Sequence, residues 1–170
     1  TNPHIHVEPG MFYRDFEKLL EGSKMTMPIF PSSRQWCAIG GMIANNAAGE
    51  NTLKYGAQDP FVEALEVILN DGETYLIKAV NHAEFQKITS QDNRLAEVYR
   101  EIYKLIQDSW DIIKENPIKS SKNVSGYPLW KVLSASPEDF EKGNGHFDIT
   151  KILVGSQGTL TVITGVKYKL

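Results

Sequence analysis

The stretch that most constrains the fold runs from Trp36 to Gly56 and reads WCAIGGMIANNAAGENTLKYG. A plain core strand would not carry a glycine pair and an asparagine pair so close together, and a plain loop would not carry so many apolar residues. Glycine permits positive φ and lets backbone N–H groups approach a ligand closely. Successive N–H groups in such a turn hold an anion, and a helix that opens after the turn adds its dipole. The stretch therefore predicts a close approach of the backbone to a ligand.

A second interpretation of the same stretch needs no ligand. It is a tight turn into a buried, alanine-rich helix that Asn45 and Asn46 cap. In the ligand interpretation the two amides hydrogen-bond an uncharged polar edge or their own backbone. The stretch is not a P-loop, because G-x-x-x-x-G-K-[ST] does not occur in the sequence, and the G-x-G-x-x-G fingerprint of dinucleotide-binding folds is missing as well. The stretch alone leaves both interpretations open.

A second glycine-rich turn lies near the end of the chain, in LVGSQGTLTVIT. Gly155 and Gly158 bracket Ser156 and Gln157, and Thr159 follows them. Two such turns, far apart in the sequence, suit a ligand long enough to touch both, and a dinucleotide cofactor is that long. The alternative for this turn is a strand–turn–strand without a ligand, in which residues 152–154 form the first strand.

The rest of the chain predicts a mixture of short strands and helices. Two β-rich runs, 62–69 and 74–79, flank an Asp-Gly pair, which is a strong hairpin signal. The run TVITGVKYKL predicts a final strand, and residues 92–116 have helical apolar spacing that Pro117 ends. The segment SASPEDFEKGNGHFD is predicted to be a loop with little structure of its own. We therefore predict the α+β class.

Composition narrows the possible partners. The chain has 170 residues, which suits one domain, and a net charge of −3, which argues against nucleic acid as its main partner. Cys37 is the single cysteine, so there is no internal disulfide and a reducing compartment fits. His4 and His6 lie on one face of a predicted strand, but the spacing suggests no third ligand, so we expect no metal.

Several segments together resemble the FAD-linked oxidase family, whose FAD domain is of the vanillyl-alcohol-oxidase and p-cresol-methylhydroxylase (PCMH) type. They are PSSRQWCAIGGMIANNAAG, KYG with Asp59 just after it, LEVILNDGE, SGYPLWKVL and DITKILVGSQGTLTVIT. Their order and spacing are most similar to the glycolate oxidase and D-lactate dehydrogenase branch. The resemblance extends from about residue 5 to residue 170 and includes VEPGMFYRDFEKLL near the start.

The resemblance implies FAD as the cofactor and an α+β, PCMH-type FAD-binding domain. Residues 1–170 would be a partial domain, mainly its second subdomain. The N-terminal subdomain, with a phosphate loop that resembles RGGGT, and the C-terminal substrate domain would be absent. Gln157 stands where this branch usually has Glu, which is a modest polar exchange.

The resemblance also implies which residues contact FAD. The proline and serines lie beside the flavin or its phosphates, the glycines give the backbone access, and the isoleucine meets the adenosine through its backbone. The expected cofactor-binding residues are Pro31, Ser32, Ser33, Gly40, Gly41, Asn45, Asn46, Gly49, Tyr55, Gly56, Gly155, Ser156, Gln157, Gly158, Thr159 and Ile163. No catalytic residue is identified. Related oxidases attach flavin through a cysteine, but Cys37 is offset by about one residue, so we expect a buried, inert thiol.

The implied parent protein oxidises a 2-hydroxy acid such as D-lactate or glycolate by hydride transfer to flavin. The electron acceptor would be a quinone, a carrier protein or oxygen. An alternative is a flavin- or nucleotide-binding module that has no catalytic activity on its own. The NADPH-dependent cell-wall reductase branch is a further alternative, but its motifs are not visible. We also expect a homodimer through an exposed subdomain face, and a cytoplasmic location, with the inner face of the membrane as a peripheral alternative.

Overall fold

A computed structural model describes residues 3–116, 118, 120 and 123–170 of the chain. The helix end that the sequence predicts at Pro117 lies outside the described residues. No helix in the described ranges is both long enough and apolar enough to cross a membrane.

The described strands form one antiparallel sheet with the order β1-β4-β2-β3. The strands are β1 (His4–Val7), β2 (Val62–Ile68), β3 (Thr74–Lys78) and β4 (Val162–Lys169). The predicted hairpin is confirmed: β2 pairs with β3, and Gly72 adopts a φ of 84° in the turn between them. The prediction of a final strand is confirmed as well, because β4 lies between β1 and β2 in the sheet.

Helices and long connections surround this sheet. The helices are α1 (Tyr13–Leu20), α2 (Ile39–Ala44), α3 (Thr52–Tyr55), α4 (His82–Thr89), α5 (Arg94–Asp108), α6 (Trp110–Glu115), α7 (Pro137–Glu141) and α8 (Thr150–Leu153), with a 3₁₀ helix at Leu129–Lys131. Helices together with an antiparallel sheet confirm the α+β class. The assignment to a second subdomain stays a prediction.

Three predicted elements differ in the structure. The helix predicted over 92–116 is divided into α5 and α6, because Ser109 leaves helical geometry with φ −110° and ψ 8°. The segment predicted as a loop contains α7, whose first turn is capped where the Ser136 side chain accepts from the Asp139 N–H. The strand–turn–strand alternative for the second glycine-rich turn does not hold, because α8 covers most of residues 152–154 and leads directly into that turn.

Two groups of buried side chains hold the fold together. One group joins the sheet to α1 and α2 and includes Phe16, Ile43, Leu65 and Val166, all fully buried. The other is an aromatic cluster in which α4, α5 and α7 meet; its rings belong to Phe85, Tyr99, Tyr103, Phe140 and Phe147. Burial of these side chains is the main favourable contribution to folding, at roughly 25 cal/mol per Å² of apolar surface. The first group also fixes α2, which carries the glycine pair.

Candidate functional site

Helix α2 presents one buried face and one exposed face. Ile39, Met42 and Ile43 are buried, whereas Gly41 and Asn45 are exposed on the other side. The prediction that the helix opens after the glycine pair is wrong, because Gly40 and Gly41 lie inside α2 with negative φ. The pair therefore allows close approach without a left-handed turn.

The two glycines of the pair have different surroundings. A Cβ added at Gly40 would lie 2.8 Å from Pro9 Cβ and 3.2 Å from Pro9 O, so this glycine permits helix packing against another part of the chain. A Cβ added at Gly41 would meet nothing within 4 Å. Gly41 therefore leaves open space in front of the backbone, where a flat ligand can come close.

Gly49 serves chain packing as well. A Cβ at this position would lie only 1.9 Å from Phe30 O and 3.0 Å from Phe30 C. The Gly49 N–H donates to Thr52 Oγ1 at 2.8 Å, which fixes the turn into α3. The first glycine-rich segment is thus pressed against the extended segment that contains Pro31, and the two together form walls of a cavity.

The second glycine-rich turn lies directly against the end of α2. The Gly155 N–H donates to Ile43 O and the Gln157 N–H donates to Ala44 O, both at 2.9 Å. Asn46 and Gln157 both have positive φ, 46° and 58°. Non-glycine residues rarely adopt this conformation, and such strain often lies at ligand sites. The two segments that the sequence singled out are therefore one structural unit.

Two adjoining cavities lie along this unit. The first has a volume of about 430 Å³ and is lined by Pro31, Ser33, Cys37, Ala38, Gly41, Met42, Asn45, Asn46, Ala47, Ala48, Val124 and Gln157. The second has a volume of about 420 Å³ and is lined by Phe30, Pro31, Ser32, Arg34, Ala48, Gly49 and Glu50. Both volumes fall within the range of roughly 300–1,000 Å³ that small-molecule sites have. Because the cavities share Pro31 and Ala48, an extended ligand can lie across both.

The structure brings part of the predicted cofactor-binding set to these cavities. The predicted residues that line them are Pro31, Ser32, Ser33, Gly41, Asn45, Asn46, Gly49 and Gln157. Gly155, Ser156 and Gly158 support the second turn without lining either cavity, and Gly40 contacts Pro9 instead. The assignment of these residues to FAD contact stays a prediction.

The other predicted residues lie elsewhere. Gly56 lines a small cavity of about 110 Å³, and Tyr55 is exposed beside Lys54, whose Nζ lies 4.9 Å from the ring centroid. Thr159 lines an apolar cavity of about 310 Å³ next to α5 and lies 2.8 Å from Tyr127 Oη. Ile163 pairs with Val67 in the sheet.

Asn46 is buried and its side chain is committed to the protein. Its Nδ2 donates to Asp59 Oδ1 at 3.2 Å, and its Oδ1 accepts from the Asp59 N–H at 3.0 Å. Asp59 is buried as well; its Oδ2 accepts from Lys131 Nζ, and its carbonyl accepts from Lys151 Nζ, both at 2.8 Å. The sequence reasoning missed this network, because nothing local in the sequence relates positions 46 and 59.

Sequence reasoning also missed the cation of the second cavity. Arg34 lines that cavity beside Ser32, with its Cζ 5.0 Å from the Phe30 ring centroid and NH1 3.8 Å from Glu17 Oε1. A guanidinium on a planar stack is well suited to hold a phosphate. The arginine that directly follows two serines in PSSR was a signal that could have identified it.

Cys37 lines the first cavity and is half-buried, which differs from the buried thiol that the sequence predicted; its inertness stays a prediction. Burial raises the pKa of the Cys37 thiol above its usual value, and the thiol is therefore protonated at neutral pH. Among the residues that the structure describes, no group of three or more His, Cys, Asp or Glu side chains could hold a metal ion.

The lining of the first cavity fits a flavin nucleotide. The open side of Gly41 allows a flat ring to approach the backbone, and Met42, Ala47 and Ala48 give apolar contact. Ser33, Asn45 and Gln157 offer both donors and acceptors at its edge. The Asn45 side chain has no hydrogen-bond partner within the described part of the chain, which leaves its amide available to a ligand.

Comparison with known proteins agrees with this assignment. A family profile described as an FAD binding domain matches residues 1–77. The chain is 26% identical to D-2-hydroxyglutarate dehydrogenase of Escherichia coli over 98% of the chain and 16% of that relative. It is 27% identical to the enzyme of the same name from Haemophilus influenzae, with the same coverage. It is also 27% identical to glycolate oxidase subunit GlcD of Bacillus subtilis, over 96% of the chain and 22% of that relative.

The matched domain indicates a flavin-binding protein, and its cofactor is FAD. The profile and these relatives support a resemblance to the FAD-linked oxidase family, in the glycolate oxidase and D-lactate dehydrogenase branch. The chain spans only about a sixth to a fifth of the length of these curated relatives.

Proposed function

We propose that this chain is the FAD-holding part of an enzyme that oxidises a 2-hydroxy acid. The observation that carries the proposal is the direct contact between the second glycine-rich turn and the end of α2, through Gly155 N–H to Ile43 O and Gln157 N–H to Ala44 O. This contact places the second turn at the rim of the 430 Å³ cavity that α2 lines. An extended dinucleotide is the ligand that uses both glycine-rich segments.

The residues of the chain bind and orient the cofactor. FAD, when bound, supplies the acceptor for the hydride that the oxidised carbon gives up. Gly41 gives the flat ring access to the backbone of α2, and the amide of Asn45 forms hydrogen bonds at its polar edge. Arg34, in the adjoining cavity, neutralises negative charge on the phosphates. Met42 and Ala47 exclude water from the apolar side.

The names of the relatives support the substrate class. Two relatives are named for D-2-hydroxyglutarate and one for glycolate, and both compounds are 2-hydroxy acids. We propose this class for the protein, with D-2-hydroxyglutarate tested beside the D-lactate and glycolate that the sequence resemblance implies. Oxidation of a 2-hydroxy acid releases a hydride from the α-carbon and a proton from the hydroxyl group, so a base must accept that proton.

A second candidate function is a cofactor-binding module that is inactive on its own. One observation favours it: the described residues that line the first cavity include no carboxylate, imidazole or amine that could accept the hydroxyl proton. In this case the base comes from a substrate-binding domain outside this chain. The two candidates share the cofactor site and differ only in where the chemistry is completed.

An FAD titration of the purified chain tests the proposed site. We expect saturable binding, seen as a shift of visible absorbance and a change of flavin fluorescence, with weaker binding of FMN because FMN reaches only one cavity. Asn45→Ala should weaken FAD binding by about fivefold, because one hydrogen bond contributes roughly 1 kcal/mol. Asn144→Ala is the matched control, since Asn144 lines neither cavity. Equal binding of FAD and FMN would contradict an extended dinucleotide site.

Activity is tested on a polypeptide that joins this chain to a substrate-binding domain. We expect reduction of an artificial electron acceptor with D-2-hydroxyglutarate, glycolate or D-lactate, and none with L-lactate or a primary alcohol. The same assay on the 170-residue chain alone separates the two candidate functions. Turnover by the chain alone would refute the inactive module, and turnover by neither polypeptide would refute the proposed substrate class.

The physiological acceptor and the assembly are further proposals. We propose a quinone, a carrier protein or oxygen as the acceptor, and the cytoplasm or the inner membrane face as the location. Self-association through an exposed apolar face is supported by Phe12 and Trp36, whose rings flank the Arg14 guanidinium at 4.6 and 5.7 Å. Trp36 is 77% exposed. Strictly monomeric sedimentation across the micromolar range would contradict the dimer.

A further inference from the structure

We infer that Asp59 is a positioning residue that holds the end of α2 and the second glycine-rich turn together. This inference rests on the FAD site proposed above. Asp59 lines neither of the two cavities; it lines the 110 Å³ cavity, which shares Asn46 with the first cavity. Its effect on the cofactor site is therefore transmitted through the residues that it contacts.

The Asp59 carboxylate holds the end of α2. Its Oδ1 accepts from Asn46 Nδ2 at 3.2 Å, and its own N–H donates to Asn46 Oδ1 at 3.0 Å. Asn46 has a φ of 46°, a conformation that needs support from its surroundings in a residue other than glycine. This reciprocal pair supplies that support. Asn46 directly follows the C-cap residue of α2, and its N–H donates to Ile43 O at 3.0 Å.

The backbone of Asp59 holds the second turn. Lys151 Nζ donates to the Asp59 carbonyl at 2.8 Å and lies 3.5 Å from Asp148 Oδ2. Lys151 belongs to α8, which ends at Leu153, two residues before Gly155. A Cβ on Gly155 would lie 3.2 Å from Asn46 Cβ. The second glycine-rich turn therefore contacts the end of α2 at Asn46, the residue to which Asp59 is hydrogen-bonded.

Because Asp59 and Asn46 are buried, the loss of a hydrogen bond between them is costly. Asp59 is 6% exposed and Asn46 is 5% exposed, so neither side chain can exchange its protein partners for bulk water. The second carboxylate oxygen, Oδ2, is paired with Lys131 Nζ at 2.8 Å. Each oxygen of the carboxylate thus has a donor, and a buried polar group that loses its partner costs more than the bond contributed.

A donor–acceptor exchange tests the inference. In Asp59→Asn, an amide nitrogen must face either Asn46 Nδ2 or Lys131 Nζ, both of which are donors. In Asn46→Asp, a second carboxylate oxygen faces the carboxylate of Asp59. In the double variant, the carboxylate at position 46 accepts from the N–H and the amide of position 59, and the amide oxygen of position 59 accepts from Lys131. Every donor then has an acceptor again.

The first readout does not need FAD. The amide hydrogens of Gly155 and Gln157 report the contact between the second glycine-rich turn and α2, because they donate to Ile43 O and Ala44 O. We expect each single variant to raise their exchange rates at least about tenfold relative to amides of the β2–β4 pair, and the double variant to restore them. Lys131→Gln is a milder variant that keeps a donor, so a smaller change at the same two amides is expected even if the single exchanges fold poorly.

Asn81→Ala is the control for general loss of stability. It removes the capping box of α4, in which the Asn81 side chain accepts from the Glu84 N–H, and it lies outside both cavities. This variant should lower the melting temperature without changing the ratio of the exchange rates. If the Asp59 variants behave as this control does, Asp59 only stabilises the fold and the inference is overturned.

The second readout is the affinity for FAD, and it separates this inference from the proposed function. We expect about tenfold weaker binding in each single variant and recovery in the double variant. If exchange at Gly155 and Gln157 responds as expected but the unmodified chain binds no FAD, the positioning role of Asp59 stands and the cofactor site fails. If the unmodified chain binds FAD and the variants bind it equally well, the cofactor site stands and the positioning role of Asp59 is overturned.

Discussion

Adjacent glycines in α2 should respond in opposite ways to the same substitution. At Gly41 a Cβ meets nothing within 4 Å, and the residue is helical. Replacing glycine by alanine in a helix stabilises it by about 0.5 to 1 kcal/mol. For a chain of this size, 1 kcal/mol shifts the melting temperature by about 2 to 4 °C. We therefore expect Gly41→Ala to melt about 1 to 4 °C higher than the unmodified chain.

At Gly40 the added Cβ would lie 2.8 Å from Pro9 Cβ and 3.2 Å from Pro9 O. Neither atom is the end of a flexible side chain, so α2 must move away from Pro9. Forcing an extra carbon into a packed contact costs about 1 to 3 kcal/mol, which exceeds the helix-propensity gain. Gly40→Ala should melt several degrees lower.

Thermal unfolding followed by circular dichroism, with FAD titrations of both variants, is the assay. Gly41→Ala should gain stability and bind FAD at least about tenfold more weakly, because its methyl group enters the space in front of α2. Gly40→Ala should lose stability and, once folded, keep most of its affinity. Equal shifts of melting temperature in the two variants, or stronger FAD binding by Gly41→Ala, would refute the reasoning.

Three further predictions follow from the same geometry. Gly49→Ala should cost more than about 3 kcal/mol of unfolding free energy in urea titrations, because its Cβ would lie 1.9 Å from Phe30 O; full stability would contradict the packing. Because burial raises the pKa of Cys37, a thiol reagent should react with it more slowly than with free cysteine at neutral pH, and the rate should increase as the pH rises. Bound FAD should protect the thiol from the reagent, because Cys37 lines the first cavity. An unprotected thiol would place FAD elsewhere. Gln157→Gly should relieve the strain of the left-handed backbone at this residue, whose φ is 58°, and raise the free energy of unfolding by up to about 1 kcal/mol. A lower free energy of unfolding would show that the Gln157 side chain itself is needed.

Local signals predicted the parts of the fold that depend on neighbouring residues. The hairpin was readable because Asp71 and Gly72 stand between two β-rich runs, and Asp71 Oδ1 accepts from the Glu73 N–H in the turn. Helix α4 was also readable in principle, since Asn81 and Glu84 form a capping box three residues apart. Apolar periodicity did not predict α4, because a short helix with few apolar residues gives only a weak periodic pattern.

Contacts between distant segments account for what the sequence could not predict. The glycine pair was expected in a turn, but Gly40 is required by Pro9, which lies thirty-one positions earlier in the chain. The pairing of Asn46 with Asp59 and the two hydrogen bonds from the second turn to α2 are likewise tertiary. The glycine-rich motifs therefore indicated that backbone and ligand approach closely, whereas the role of each glycine depends on the packed fold.

The cofactor site itself is tested most directly by following backbone amide chemical shifts of the isotope-labelled chain as FAD is added. We expect the largest changes on the segment around Gly41 and Asn45 and on the turn at Gln157, which line one cavity. Changes confined to Thr159 and Leu160, which line the separate 310 Å³ cavity, would contradict the proposed site.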